Sequence, residues 1–127
     1  MKIRPREPVI LAEDFGALMN WYREVLGFGV AQLIEDAYHY VRLETPGGVK
    51  LAIASAKEMG VTPSDRRNNS LVLQVEVDDV KAFFEHVQSS GGSVTGGPQY
   101  DKEGDFWFGG IADPEGNPCW VVDKNCP

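Results

Sequence analysis

Short apolar runs along the chain are interrupted twice by a stretch with helical spacing. The first run, PVILA at residues 8–12, leads to Asp14, whose short carboxylate suits a helix N-cap. Phe15, Leu18, Met19, Tyr22, Val25 and Leu26 then recur as one apolar stripe, and Gly27 supplies the stop. The strand-like segments GVAQLIE, YHYVRLE and VKLAIAS follow, the last two joined by a turn at TPGG. KEMGVTPSDRRNN is polar and rich in turn formers, so it reads as a connecting loop. After it the order restarts. SLVLQVEV reads as a strand, Asp78 or Asp79 as a cap, and Val80, Phe83, Phe84 and Val87 as a second helical stripe ended by GG. The segments SVTGG, DFWFGGIA and PCWVVD close the pattern, with a turn at DPEGN before the last.

The two halves superpose by number. An offset of 65 carries Asp14 onto Asp79 and the stripe Phe15, Leu18, Met19, Tyr22 onto Val80, Phe83, Phe84, Val87. An offset of 68 carries Pro46 onto Pro114 and Gly48 onto Gly116, so the second half holds three extra residues between helix and hairpin. Order, caps and turns agree together, which predicts two βαβββ units and an α+β fold. The expected organisation is a single domain over residues 1–127, with unit one at about 5–56, a linker at about 57–69 and unit two at about 70–124.

Charge and composition narrow the partners. The net charge of -7 argues against nucleic acid or an anionic membrane surface. It is concentrated late: residues 65–127 hold 5 Lys+Arg against 11 Asp+Glu, and residues 1–64 hold 7 against 8. No apolar run approaches the ~20 residues of a membrane helix, and the start lacks a signal-peptide pattern. Cys119 and Cys126 are too close together to staple a fold, which predicts reduced thiols in a cytoplasmic protein.

The stretches EDFGALMNWYREVLGF, VEVDDVKAFFEHVQSSGG and GGIADPEGNPCW resemble the first helix, second helix and last hairpin of the vicinal oxygen chelate superfamily. Glyoxalases, extradiol dioxygenases and bleomycin-resistance proteins belong to that superfamily. The resemblance covers residues 5–124 and implies a curved mixed sheet enclosing a ligand cleft, in a homodimer. It also implies a metal site at four strand positions, which fall here on Glu7, Ala52, Val72 and Trp120. A divalent metal needs several His, Glu, Gln or Asp donors, so this set predicts no metal and no cofactor. The two histidines do not repair it. His86 is expected on the polar flank of the second helix, and His39 on the helix side of its strand with Val41 and Leu43.

Strand alternation sorts the remaining side chains. With Ala52 facing the cleft, Lys50 and Ala54 face it too, as do Tyr38, Tyr40 and Arg42 on the preceding strand. The repeat adds Phe106, Phe108 and Gly110, while Val72 brings Gln74 and Glu76 and Glu7 brings Val9 and Leu11. The expected ligand site is therefore Tyr38, Tyr40, Arg42, Lys50, Gln74, Glu76, Phe106, Phe108 and Trp120. Trp107 reads both ways, toward the helix or the rim. An aromatic-lined concavity with a few polar groups suits a small aromatic or cationic compound, and Asp101, Glu103 and Asp105 in the YDKEGD loop would favour a cation. The leading expectation is a small-molecule-binding protein of the antibiotic-resistance kind. The alternatives are a glyoxalase-like lyase or isomerase or a dioxygenase, metal-dependent or with Glu7 as general base at a raised pKa, and a structural or regulatory partner without a ligand.

Overall fold

A computed structural model of the chain describes residues 1–68 and 70–127. Two compact units divide it, Met1–Pro63 and Ser64–Pro127. The first contains β1 (Val9–Ala12), α1 (Phe15–Glu24), β2 (Gly29–Ile34), β3 (Tyr40–Glu44) and β4 (Lys50–Ser55). The second contains β5 (Leu73–Glu76), α2 (Val80–Ser89), β6 (Ser93–Asp101), β7 (Phe106–Ala112) and β8 (Pro118–Val122). Each unit is βαβββ, and each builds one four-stranded mixed sheet, in the orders β1-β4-β3-β2 and β5-β8-β7-β6. The outer pairs β1–β4 and β5–β8 are parallel, and the hairpin pairs are antiparallel. The fold is α+β, as the sequence pattern predicts.

Local chemistry explains the elements. Asp14 accepts the Ala17 N–H at 3.1 Å, and Asp79 accepts the Ala82 N–H at the same distance, so the cap of α2 is Asp79 and not Asp78. Each cap satisfies one of the orphan donors of a helix start, worth about 1 kcal/mol. Gly27 takes φ 76° just after α1, a left-handed conformation that needs no Cβ. In the first unit α1 packs on the sheet: Leu18, Trp21 and Tyr22 are buried, as are Val41, Leu43, Leu51 and Ile53 on the strands. In the second, α2 packs on β6 and β7, and Val80, Phe84 and Val87 are buried along with Ile111, Cys119 and Val121. Each such side chain contributes about 1.5–3 kcal/mol through burial. One face of each sheet therefore carries a helix and the other does not.

The register bears out the internal repeat. Ala52 on β4 pairs with Val9 on β1 and Arg42 on β3. Trp120 on β8 pairs with Gln74 on β5 and Gly110 on β7. These are the same three positions under the 65- and 68-residue offsets.

Three boundaries differ from the sequence expectation. β6 continues past Gly97 to Asp101, because irregularities at Val94/Gly96 and Gly96/Gln99 let the strand carry its glycines and Pro98 as bulges. β3 begins at Tyr40, which leaves Tyr38 in the bend before it. β5 is shorter than SLVLQVEV and spans four residues. The linker expected at about 57–69 includes residue 69, which lies outside the described residues.

Candidate functional site

The open face of the second sheet is built around Trp120. Its neighbours Cys119 and Val121 are buried, while Trp120 is 56% exposed, so alternation turns the indole away from α2. The paired glycines of β7 divide between the two faces. A Cβ on Gly109 would lie 2.5 Å from the Phe84 ring of α2, so that position must stay small for the helix to pack. A Cβ on Gly110 would lie 2.7 Å from Thr95 Oγ1 and 3.9 Å from Trp120 Cδ1, on the open face. Gly96, the cross-strand partner of Gly110, has no atom within 4 Å of its missing Cβ. The floor beside Trp120 is thus flat backbone, with the indole as a wall.

A cavity of about 400 Å³ occupies this face, within the usual ~300–1,000 Å³ of small-molecule sites. Gln74, Thr95 and Gln99 supply its polar side chains, and Phe108 and Trp120 its aromatic ones. The glycines at 96, 97, 109 and 110, with Val121 and Val122, complete the lining. Among the expected site residues, Gln74, Phe108 and Trp120 lie here. Glu76 is exposed on β5 and Phe106 packs at a tilt against Phe108 with ring centres 5.7 Å apart, yet neither lines the cavity. Gln99 escapes sequence reasoning because it lies beyond the SVTGG segment, and Thr95 because that short glycine-ended run gives no alternation from which to assign its face.

The acidic loop behaves differently from expectation. Asp101 Oδ1 accepts the N–H groups of Glu103 and Gly104, and Tyr100 donates its hydroxyl to Asp105 Oδ1 at 2.5 Å. That bond, with burial and the surrounding acids, raises the Tyr100 pKa above its ordinary value. Asp101 and Asp105 are spent on the turn, and no acid of the loop lines the cavity. Trp107 resolves to the helix side, where Lys81 Nζ of α2 lies 4.0 Å from its ring centre.

In the first unit the sizes are reversed. Ala52, fully buried, stands where Trp120 stands, and Arg42 stands where Gly110 stands. Arg42 Nε donates to Glu7 Oε1 at 3.0 Å across β4, and the Tyr40 hydroxyl reaches the same oxygen at 3.5 Å. Arg6 lies 3.7 Å from it. The Glu7 side chain is only 3% exposed, and one of its two carboxylate oxygens is held by a cation. Burial and then the Glu7 charge raise the Tyr40 pKa. Tyr38 packs against Tyr40 with ring centres 6.5 Å apart, and Lys50 is exposed opposite Glu44.

His39 takes part in an arrangement that sequence spacing does not announce. As expected it faces the helix side, edge-on to Phe15 of α1 with centres 5.4 Å apart. Its Nδ1 also lies 2.5 Å from Glu58 Oε1, and its backbone N–H donates to Glu58 Oε2 at 2.7 Å. These bonds lower the Glu58 pKa below the usual carboxylate value. A second cavity of about 490 Å³ lies here, lined by Glu13, Asp14, Phe15, Glu35, His39, Ser55 and Glu58 among others. His86 is exposed on α2, as expected.

The donor set does not fit a metal ion. Of the four strand positions, Ala52, Val72 and Trp120 offer no metal donor of the needed kind, and Glu7 is bonded to Arg42. Among the described residues no group of three or more His, Cys, Asp or Glu is placed to hold a metal. No helix among them is long and apolar enough to cross a membrane.

Comparison with known proteins bears on the fold. Residues 6–121 match the family described as the Glyoxalase/Bleomycin resistance protein/Dioxygenase superfamily. A glyoxalase/bleomycin resistance protein/dioxygenase family enzyme from Burkholderia phytofirmans PsJN is 18% identical with a TM-score of 0.72, covering 91% of this chain and 94% of its own. A member of the same superfamily from Sphaerobacter thermophilus DSM 20745 is 18% identical with a TM-score of 0.75, covering 96% and 98%. TnmS3, an antibiotic binding protein from Streptomyces sp. CB03234, is 21% identical with a TM-score of 0.72, covering 97% and 98%. No curated protein matches the sequence significantly.

Proposed function

The chain belongs to the Glyoxalase/Bleomycin resistance protein/Dioxygenase superfamily, and from that membership we propose that it is a metal-free binding protein for a flat aromatic compound. The observation that carries the reading is Trp120, half-exposed beside a floor of glycine backbone in a cavity of about 400 Å³. An exposed indole on a sheet face forfeits burial, and a glycine beside it leaves room for a ring against the indole. A planar ligand filling that space restores the burial and adds stacking of ~0.5–1.5 kcal/mol. TnmS3, similar in fold and named for antibiotic binding, supports sequestration as the role. Chemistry with Glu7 as general base is the weaker reading, because a proton taken at Oε1 would break the Arg42 ion pair.

The reading includes a homodimer in the cytoplasm. Exposed Val30 and Leu33 on the edge strand β2 support pairing with a second copy, and the buried thiol of Cys119 suits a reducing compartment. The test is a thermal-shift and tryptophan-emission screen with flat compounds of two to four rings. At least one should raise the melting temperature and quench emission in wild type, with the quench lost in Trp120→Phe. A panel in which no compound does so overturns the proposal.

A further inference from the structure

The cavity at Trp120 has a regular cross-section. Running across the sheet from β5 to β6, Gln74 pairs with Trp120, and on the far side Gln99 pairs with Phe108. Each ring on a central strand thus has one primary amide beside it on an edge strand. Neither amide hydrogen-bonds another described residue, so both keep a donor and an acceptor for something else. Thr95, the third polar side chain, is likewise uncharged, and no charged residue lines the cavity. Glu76 lies outside the lining, and Asp101 and Asp105 are engaged in their own turn.

A charged ligand would leave water here without an opposite charge to meet it, whereas an uncharged polar edge would exchange its waters for amide bonds. We infer that the cavity selects an uncharged planar heteroaromatic with a lactam or carboxamide edge, and that Gln74 and Gln99 determine that specificity. The inference rests on the reading of this cavity as the ligand site and narrows it, removing the cationic option that the acidic sequence suggests. A lactam presents N–H and C=O side by side, the complement of a primary amide, so one glutamine satisfies both groups at once. A cation would gain from the ring faces and an amide oxygen but meet no opposite charge, and an anion has no cationic side chain in the lining to pair with.

The experiment uses two probes on one three-ring frame, neutral 6(5H)-phenanthridinone and cationic 5-methylphenanthridinium, titrated against the full chain by tryptophan quenching. Wild type should bind the lactam at least tenfold tighter than the cation. The double variant Gln74→Leu/Gln99→Leu should weaken the lactam about tenfold and leave the cation within twofold, with one of the two single changes carrying most of the loss. Gln74→Glu should turn the preference toward the cation. Both glutamines are exposed, so the variants should keep the wild-type melting temperature without ligand. Equal or tighter binding of the cation to wild type overturns the inference and leaves the binding-site reading standing. A double leucine variant that weakens both probes alike, or neither, overturns it as well. Failure of both probes to bind overturns the inference and the site reading together.

Discussion

Trp120 and Ala52 occupy one position of a repeated framework, and their neighbours compensate for their sizes. Where the central residue is Ala, Arg42 and Glu7 join across it; where it is Trp, the neighbour is Gly110. The two adjacent glycines of β7 therefore give separable predictions. Gly109→Ala would drive a Cβ into the Phe84 ring and Gly96 O, and should cost about 1–3 kcal/mol of stability by urea unfolding. Gly110→Ala meets only the movable Thr95 hydroxyl and should cost less stability, but weaken a stacked ligand. A larger stability loss at 110 than at 109 would show that the faces are assigned the wrong way round. Trp120 itself was legible from the 68-residue offset, because repeat and register share one period. The capture of Glu7 by Arg42, 35 residues away, was not legible.

At the scale of elements, caps, turns and strand faces were readable because they rest on local chemistry: Asp before each stripe, Gly after it, Pro and Gly in the hairpins. What escaped was carried by irregular segments. Glu58 sits in a stretch that reads only as polar loop, yet it holds the start of β3 through His39. Its pKa is lowered on folding, so its contribution is present above the ordinary carboxylate value of 4.5 and is lost as pH falls through the lower folded value. Acid unfolding of wild type should show that increment below about pH 4.5, and Glu58→Gln should lack it. Arg66, in the same loop region, donates from Nη1 to Asn117 Oδ1 at 2.9 Å, and its Nη2 lies 3.2 Å from Glu115 Oε1 without an aligned hydrogen bond. Asn117 is in turn buried on Asp113, so Arg66 ties the loop to the DPEGN turn within the second unit. Its side chain is 10% exposed, and Arg66→Ala should lower stability by about 2–3 kcal/mol, read from the urea midpoint. An unchanged midpoint would show the tie to be ornamental.

For the whole molecule, composition argued against nucleic acid as a main partner and the pattern predicted the fold class, but neither could specify a ligand, since a fold hosts many chemistries. Reactivity of the two thiols offers a global check of the packing. Burial pushes the Cys119 thiol up to about 12, so at neutral pH a thiol reagent should modify Cys126 alone in the native protein and both after unfolding. Fast modification of Cys119 in the native state would contradict the core described for the second unit. Protein purified without chelator should carry far less than one transition-metal ion per chain by elemental analysis, and sedimentation should give twice the 14.0 kDa chain mass. The most direct test of the central claim measures stability and ligand affinity together on Trp120→Ala, using a compound found to quench the wild type. Because Trp120 is 56% exposed, stability should fall by no more than about 2 kcal/mol, while affinity falls by ~1–3 kcal/mol. A variant that loses about 3–5 kcal/mol of stability yet binds the compound as wild type does would make Trp120 a core residue and contradict the account.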